Sequence, residues 1–322
     1  MSDGSSTLDR DLAARVLARV GEAVVGKEQP MKLVLAGILA GGHVLLEDVP
    51  GVGKTLTARS FAQALGLGFR RVQFTPDLLP SDVTGSYVYD QRSSEFVFRP
   101  GPIFTGLLLA DEINRTPPKT QAALLESMQE RQVTVEGTTF PLSEPFHVLA
   151  TANPVEYEGT YPLPEAQLDR FLLRVPFGYP TAEQEWDVLR RRIDRRREEQ
   201  ELAPVTDAAG LVALQRTCER VEVDASVGRY CVELSTNTRR HRQVLIGASP
   251  RGSLALLLTA RAHAVIEGRD FVLPEDVKAV AEAALAHRIT IKPELWLREI
   301  DGRSVVADVL ASTAAPPTVR PS

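Results

Sequence analysis

Cysteine is scarce in this chain: only Cys218 and Cys231 occur. They match neither a zinc-ligand spacing nor a disulfide framework, so buried or bland thiols in a reducing compartment are expected. The five histidines, His43, His147, His241, His263 and His287, are scattered along the sequence and suggest no metal-ligand cluster. Long apolar runs are missing too. The most apolar stretch, 33–46, is broken by Gly41-Gly42-His43 and is shorter than the ~20 residues of a membrane span. Helix, turn and strand is the expected reading there. Asp3, Asp9, Arg10 and Asp11 leave the first residues without an apolar core, so no secretory signal is expected. Nor is there an excess of positive charge. The net charge of −5 gives no global attraction to nucleic acid. A soluble, cytoplasmic protein is the expectation.

What is present is a large apolar fraction, 43% of 322 residues, ample for a buried core. At about 150 residues per domain, two domains are expected. Leu12, Val16, Val20 and Val24 recur at helical spacing within 8–25. A second helix is expected from Pro30 to the Gly41-Gly42 stop. Apolar strands then alternate with helices: 44–46, 69–75, 106–110 and 146–151 read as strands, and a helix capped by Thr116 with Pro117 in its first turn lies between the last two. This alternation predicts an α/β fold, a parallel sheet with helices on its faces. Two hairpins interrupt it. Residues 86–89 and 95–98 flank a polar turn, and 132–135 and 138–140 flank Glu136-Gly137. They are either ordinary sheet extensions or loops that project toward a partner. After Phe177-Gly178-Tyr179-Pro180 the pattern becomes mostly helical. Thr181 with Gln184 resembles a capping box, and Ser249-Pro250 and Leu273-Pro274 mark further helix starts. The expected division is a core over 1–179, an all-helical domain over 180–311, and a disordered tail over 312–322.

The chemistry is concentrated in a few places. Asp48 to Thr55 read DVPGVGKT between an apolar strand and a helix. This fits a P-loop, in which backbone N–H groups cradle phosphates, Lys54 reaches the β and γ phosphates, and the Thr55 hydroxyl binds Mg²⁺. The usual pattern has Gly where Asp48 stands, and Pro50-Gly51 is expected to supply the turn. The strand 107–110 ends in Asp111-Glu112. A buried strand delivers its last carboxylates to the sheet edge beside the phosphates. Asp111 is then the candidate to hold Mg²⁺ through water, and Glu112 to polarise an attacking water. The strand 148–151 leads to Asn153, whose side chain can touch a γ-phosphate. Arg170 and Arg251 are two further candidates. Each alone reads as a surface salt bridge, but in this order with the others they form a set.

That set resembles the AAA+ ATPases, and within them the MoxR family, over roughly 8–310. The resemblance implies a P-loop NTPase core with a C-terminal all-helical lid. It implies that Val25-Gly26 contacts adenine and that Pro50, Gly51, Val52, Gly53, Lys54, Thr55 and Leu56 form the Walker A segment. Asp111-Glu112 would be Walker B, Asn153 sensor 1, Arg170 the arginine finger and Arg251 sensor 2. Gln73 to Asp82, QFTPDLLPSD, and Gly101-Pro102-Ile103-Phe104 look like MoxR hallmarks, and Asp48 fits the form seen there. The hairpins resemble the helix-2 and pre-sensor-1 inserts. Implied with these are ATP and Mg²⁺ as cofactors and a hexameric ring in which Arg170 acts in trans. A chaperone-like role on von Willebrand factor A domain proteins or metalloenzymes is implied as well.

Three other readings compete. A nucleic-acid motor would use Arg190-Arg191-Arg192 and Arg195-Arg196-Arg197. Asp187, Asp194, Glu198, Glu199 and Glu201 flank that run, which favours a solvated helix, so nucleic acid is not the expected partner. A metal-chelatase motor subunit shares the inserts and the lid. An inactive nucleotide-binding scaffold is opposed by the intact acid pair and both arginines.

Overall fold

The computed structural model describes residues 3–47, 51–152, 160–196, 200–298 and 300–317. The chain opens with α1 (Asp3–Gly21) and α2 (Glu28–Leu39), then enters β1 (Val44–Glu47) and α3 (Lys54–Ala64). Next come β2 (Phe69–Gln73), the short α4 (Pro80–Thr84), and a hairpin of β3 (Gly85–Asp90) with β4 (Glu95–Pro100). The buried strand β5 (Leu107–Asp111) leads to α5 (Pro118–Glu130) and a second hairpin, β6 (Gln132–Val135) with β7 (Thr138–Pro141). β8 (His147–Ala152), α6 (Glu165–Leu168) and β9 (Leu173–Pro176) complete the first half. The second half holds α7 (Ala182–Arg195), α8 (Ala208–Arg220), α9 (Ala225–Arg240), β10 (Val244–Ile246), α10 (Pro250–Ile266), α11 (Pro274–Leu285), β11 (Thr290–Ile291) and α12 (Gly302–Ser312).

β1, β2, β5, β8 and β9 form one sheet in the order β2-β5-β8-β1-β9, with every pairing parallel. Strand periodicity divides their side chains between two apolar clusters. Val44, Leu46, Leu107, Leu109, Leu149 and Leu173 face one cluster, which also takes Leu35 and Ile38 of α2 and Leu256 and Ala260 of α10. Leu45, Leu108, Ala110, Val148 and Ala150 face the other, closed by Leu124, Leu125 and Met128 of α5. Burial on both faces is why these strands read as continuous apolar runs. The first cluster runs from the sheet into the helical half without a break, through Leu234 of α9 and Val280 of α11. At ~25 cal/mol per Å² of apolar surface, this shared burial anchors the lid to the core.

The two hairpins form as expected, and so does the Thr181 cap. Thr181 Oγ1 accepts from Gln184 N at 3.3 Å, and Thr181 N donates to Gln184 Oε1 at 3.0 Å. Two details differ. α5 starts at Pro118 with Pro117, not Thr116, as its cap. A residue before proline is driven extended, and Pro118 suits the first helical position because it has no N–H to satisfy. The helical half also carries a small antiparallel ribbon, β10 with β11, pairing Val244 with Ile291. Strands this short leave no periodic signal in a sequence. Asp48, Pro50 and Asn153 lie outside the described residues.

Candidate nucleotide site

Gly53 caps α3 with φ +93°, a left-handed conformation that glycine adopts without strain. Lys54 and Thr55 therefore open the helix, where backbone N–H groups have no partners within the helix itself. A cavity of about 420 Å³ lies over this end, lined by Gly51, Gly53, Lys54, Thr55, Leu56, Arg71, Asp111, Glu112 and Thr151. Gly51, Gly53, Lys54, Thr55 and Leu56 thus share one cavity with the acid pair.

The acid pair is held tightly. The Thr151 hydroxyl on β8 donates to Asp111 Oδ1 at 2.6 Å and accepts from the Glu112 N–H at 2.8 Å. Arg71 on β2 donates from Nε and Nη2 to Asp111 Oδ2 at 2.9 and 2.7 Å. Its Nη2 also donates to Gln73 Oε1 at 2.8 Å. Gln73 Nε2 in turn donates to Glu112 Oε2 at 2.7 Å, an oxygen that also accepts from Arg115 Nη1 at 2.9 Å. Glu112 itself has φ +56°, a strained conformation for a residue with a Cβ. That backbone turns its carboxylate out of the strand and over the cavity.

Sequence reasoning missed Arg71, Arg115 and Thr151, and quoted Gln73 only as part of a family signature. Arg71 and Gln73 alternate on one face of β2, which period two would have shown. Their target became visible only once β2 was paired beside β5, with Gln73 opposite Asp111.

Asp111 Oδ2 already attracts a guanidinium, and Thr55, which carries a hydroxyl, lines the same cavity. Hard oxygen donors supplemented by phosphate and water are what Mg²⁺ takes, so these residues fit the ion. Val25 and Gly26 line a second cavity of about 550 Å³, between the α1–α2 connection and α7. Gly26 has φ +67°, and a Cβ there would lie 2.3 Å from the Gln184 side chain. The positive φ is what favours glycine there, since the Gln184 side chain could move aside. Val52 is buried beneath the turn.

Neither Arg170 nor Arg251 is among the described residues lining the phosphate cavity. Arg170 Nη1 donates to the Leu125 carbonyl of α5 at 2.8 Å. Arg251 Nη1 lies 3.6 Å from Asp169 Oδ2.

Comparison with known proteins agrees with this geometry. Residues 43–173 match the ATPase family associated with various cellular activities (AAA), and 236–309 match the AAA lid domain. Chaperone MoxR1 of Mycobacterium tuberculosis is 42% identical over 94% of this chain and 82% of its own. The YeaC protein of Bacillus subtilis is 48% identical over 95% of both. The chain belongs to the MoxR family of AAA+ ATPases. A solved structure from Cytophaga hutchinsonii, assigned as an ATPase, superposes with a TM-score of 0.91 at 40% identity and covers 98% of each chain. Membership in the MoxR family makes this protein an ATP-hydrolysing enzyme with a P-loop α/β core and a helical lid. AAA+ ATPases of this family work as oligomeric assemblies. Among the described residues, no helix is long and apolar enough to cross a membrane.

Proposed function

We propose that the chain is one subunit of a cytoplasmic hexameric ring that hydrolyses ATP with Mg²⁺ and remodels partner proteins. Its core is 1–179 and its lid 180–311. The observation that carries the reading is the shared cavity: Lys54 and Thr55 open α3 there, and Asp111 and Glu112 face them from the adjacent β5 edge.

In this reading the Walker A residues bind the phosphates through backbone N–H groups and Lys54. Val25 and Gly26 contact the adenine. Thr55 and Asp111 hold Mg²⁺, which when bound neutralises charge on the β and γ phosphates. Glu112 orients the attacking water. Gln73 and Arg115, both on Glu112 Oε2, hold its carboxylate in one rotamer. Asn153 and Arg251 contact the γ-phosphate in cis. Arg170 reaches the neighbour's nucleotide, and such a contact is worth about 10³ to 10⁵ in rate, or roughly 4–7 kcal/mol.

The client side is a proposal of the same kind. Tyr89 and Phe96 stack edge to face on the first hairpin and are 50% and 71% exposed. Phe98 behind them stacks on Phe140 of the second hairpin with ring centroids 4.0 Å apart. The two hairpins are thereby braced as one projecting platform. A protein client, either a von Willebrand factor A domain protein or a metalloenzyme, suits an exposed aromatic surface better than nucleic acid suits this net charge.

Steady-state ATPase measurement tests the enzymatic half. Glu112→Gln should lower turnover by about 10² to 10⁴, with nucleotide still bound. Unchanged turnover would remove Glu112 from its role. Capture with Glu112→Gln held in ATP tests the client half. A von Willebrand factor A protein or a metalloenzyme is the expected catch, and DNA or a chelatase subunit would overturn the reading.

A further inference from the structure

Arg288 has no part in the reading above, and nothing in the sequence singles it out. It closes the 3-10 turn Ala286–Arg288 that follows α11, and its side chain is 4% exposed. A buried guanidinium must find acceptors for its rigid fork of donors. Arg288 finds most of them outside the lid. Nη2 donates to the Phe171 carbonyl at 2.9 Å, and Nη1 reaches the Leu172 carbonyl at 3.4 Å. Nε lies 2.9 Å from Asp169 Oδ1, a close ion pair rather than an aligned hydrogen bond. Within the lid, Nη1 also donates to the Ala284 carbonyl and meets His287 Nε2. The lid therefore grips 169–172, the stretch of core that carries Arg170.

Asp169 is shared by two lid cations that differ in kind. Arg251 is 56% exposed at its side chain and sits at a loose 3.6 Å, so it can leave without stranding a charge. Arg288 is buried and cannot. Burial pulls its pKa down to about 10 while Asp169 opposes that pull, so it stays cationic at neutral pH. One cation is free to follow a phosphate, and the other is a pivot.

We propose that Arg288 is a positioning residue that couples the lid of a subunit to its own Arg170. When Arg251 exchanges Asp169 for a nucleotide phosphate, the lid shifts. Arg288 keeps its hold on 169–172 and carries that shift to the arginine offered to the neighbouring subunit. The proposal rests on Arg170 acting in trans.

Mixed assemblies separate the two ideas. Arg170→Ala subunits keep an intact nucleotide site but offer no arginine. Glu112→Gln subunits offer the arginine and still bind nucleotide but do not turn it over. Mixing them should restore ATPase activity above that of either alone. Without restoration, the trans assignment fails and the proposal falls with it. With restoration, Arg288→Lys, which keeps the charge but not the fork, is placed on one partner at a time. On the Glu112→Gln subunit it should cut the restored activity at least tenfold. On the Arg170→Ala subunit it should change it less than twofold. Equal losses in both placements would make Arg288 a structural residue only, and no loss in either would remove the coupling. Asp169→Asn in the same two placements, with melting curves for each subunit, gives the second reading. It should show the same asymmetry although it lowers the melting temperature equally in both placements, since Arg288 then loses its counter-ion, and symmetric losses would also overturn the proposal.

Discussion

At the C-terminal end of the parallel sheet, Asp111 and Glu112 are surrounded by Arg71, Gln73, Arg115 and Thr151. At the N-terminal end, His43 and His147 are buried. His43 Nδ1 accepts from the Val148 N–H at 3.0 Å and its Nε2 donates to the Met128 carbonyl at 3.1 Å. His147 Nδ1 donates to the Gly42 carbonyl at 3.0 Å, and its Nε2 accepts from the Gln215 amide of α8 at 3.0 Å. Gln215 cannot turn that amide around, because the same nitrogen donates to the Ile38 carbonyl at 2.8 Å. Each ring is fixed as one neutral tautomer. Protonation would set N–H against N–H, so both pKa values are low, about 3 for His43 and about 4 for His147, with burial the largest cause. One end keeps charges that can change partners. The other keeps neutral groups that cannot.

The comparison predicts opposite failures. Lys54→Ala should cost on the order of 10³ in turnover and lower the melting temperature less than His43→Ala does, because Lys54 borders an open cavity. His43→Ala should do the reverse. It strands the Val148 N–H and the Met128 carbonyl in a dry interior, at about 2–4 kcal/mol of stability, and leaves the nucleotide site assembled. Nucleotide binding and thermal melting on both variants check this. A His43→Ala protein that melts normally but no longer binds nucleotide would break the contrast.

Acid titration comes next in size. Both histidines have folded pKa values below their unfolded 6.5. As pH falls through 6.5 the unfolded chain takes up protons and the folded chain does not, so stability is lost. For His147 the loss runs from about pH 6.5 down to its folded value of about 4 and amounts to roughly 3 kcal/mol. Below that the folded state also protonates and the loss levels off. His147→Gln should flatten this part of the stability–pH curve, measured by denaturant unfolding across the range. A curve of wild-type steepness would show that His147 is not its source.

The two ends were unequally legible in the sequence. The Gly53-Lys54-Thr55 helix start, the acid pair and the strand–helix alternation are local patterns, and the structure brings the first two to one cavity at the edge of a parallel sheet. Asp111 and Glu112 could be placed because a buried strand delivers its last residues to one edge. Arg71, Thr151 and Gln215 could not be placed, because the partners of the first two lie on another strand and those of Gln215, a lid residue, lie in the core, and no single stretch of chain encodes that proximity. The histidines were read only as failing to form a metal cluster. Their role depends on backbone carbonyls and on a helix of the lid, neither of which has a signature in residue type. The β10–β11 ribbon escaped for a different reason, since three residues against two give no period to detect.

Thr151 is where the contrast can be sharpened most finely, because it lies on β8, the strand that His147 begins. It is buried like the histidines, yet its hydroxyl serves the acid pair. Thr151→Val keeps the shape and removes the hydroxyl. Asp111 Oδ1 and the Glu112 N–H then lose a partner, at about 1–2 kcal/mol of stability. If Thr151 belongs to the exchanging end, turnover should also fall about tenfold, the equivalent of 1.4 kcal/mol in the barrier, because both acids lose their common reference point. Its stability–pH curve should keep the wild-type slope between pH 4 and 6.5, since the histidines are untouched. A stability loss with unchanged turnover would place Thr151 with the fixed polar groups. The boundary between the two ends would then lie at Asp111 itself.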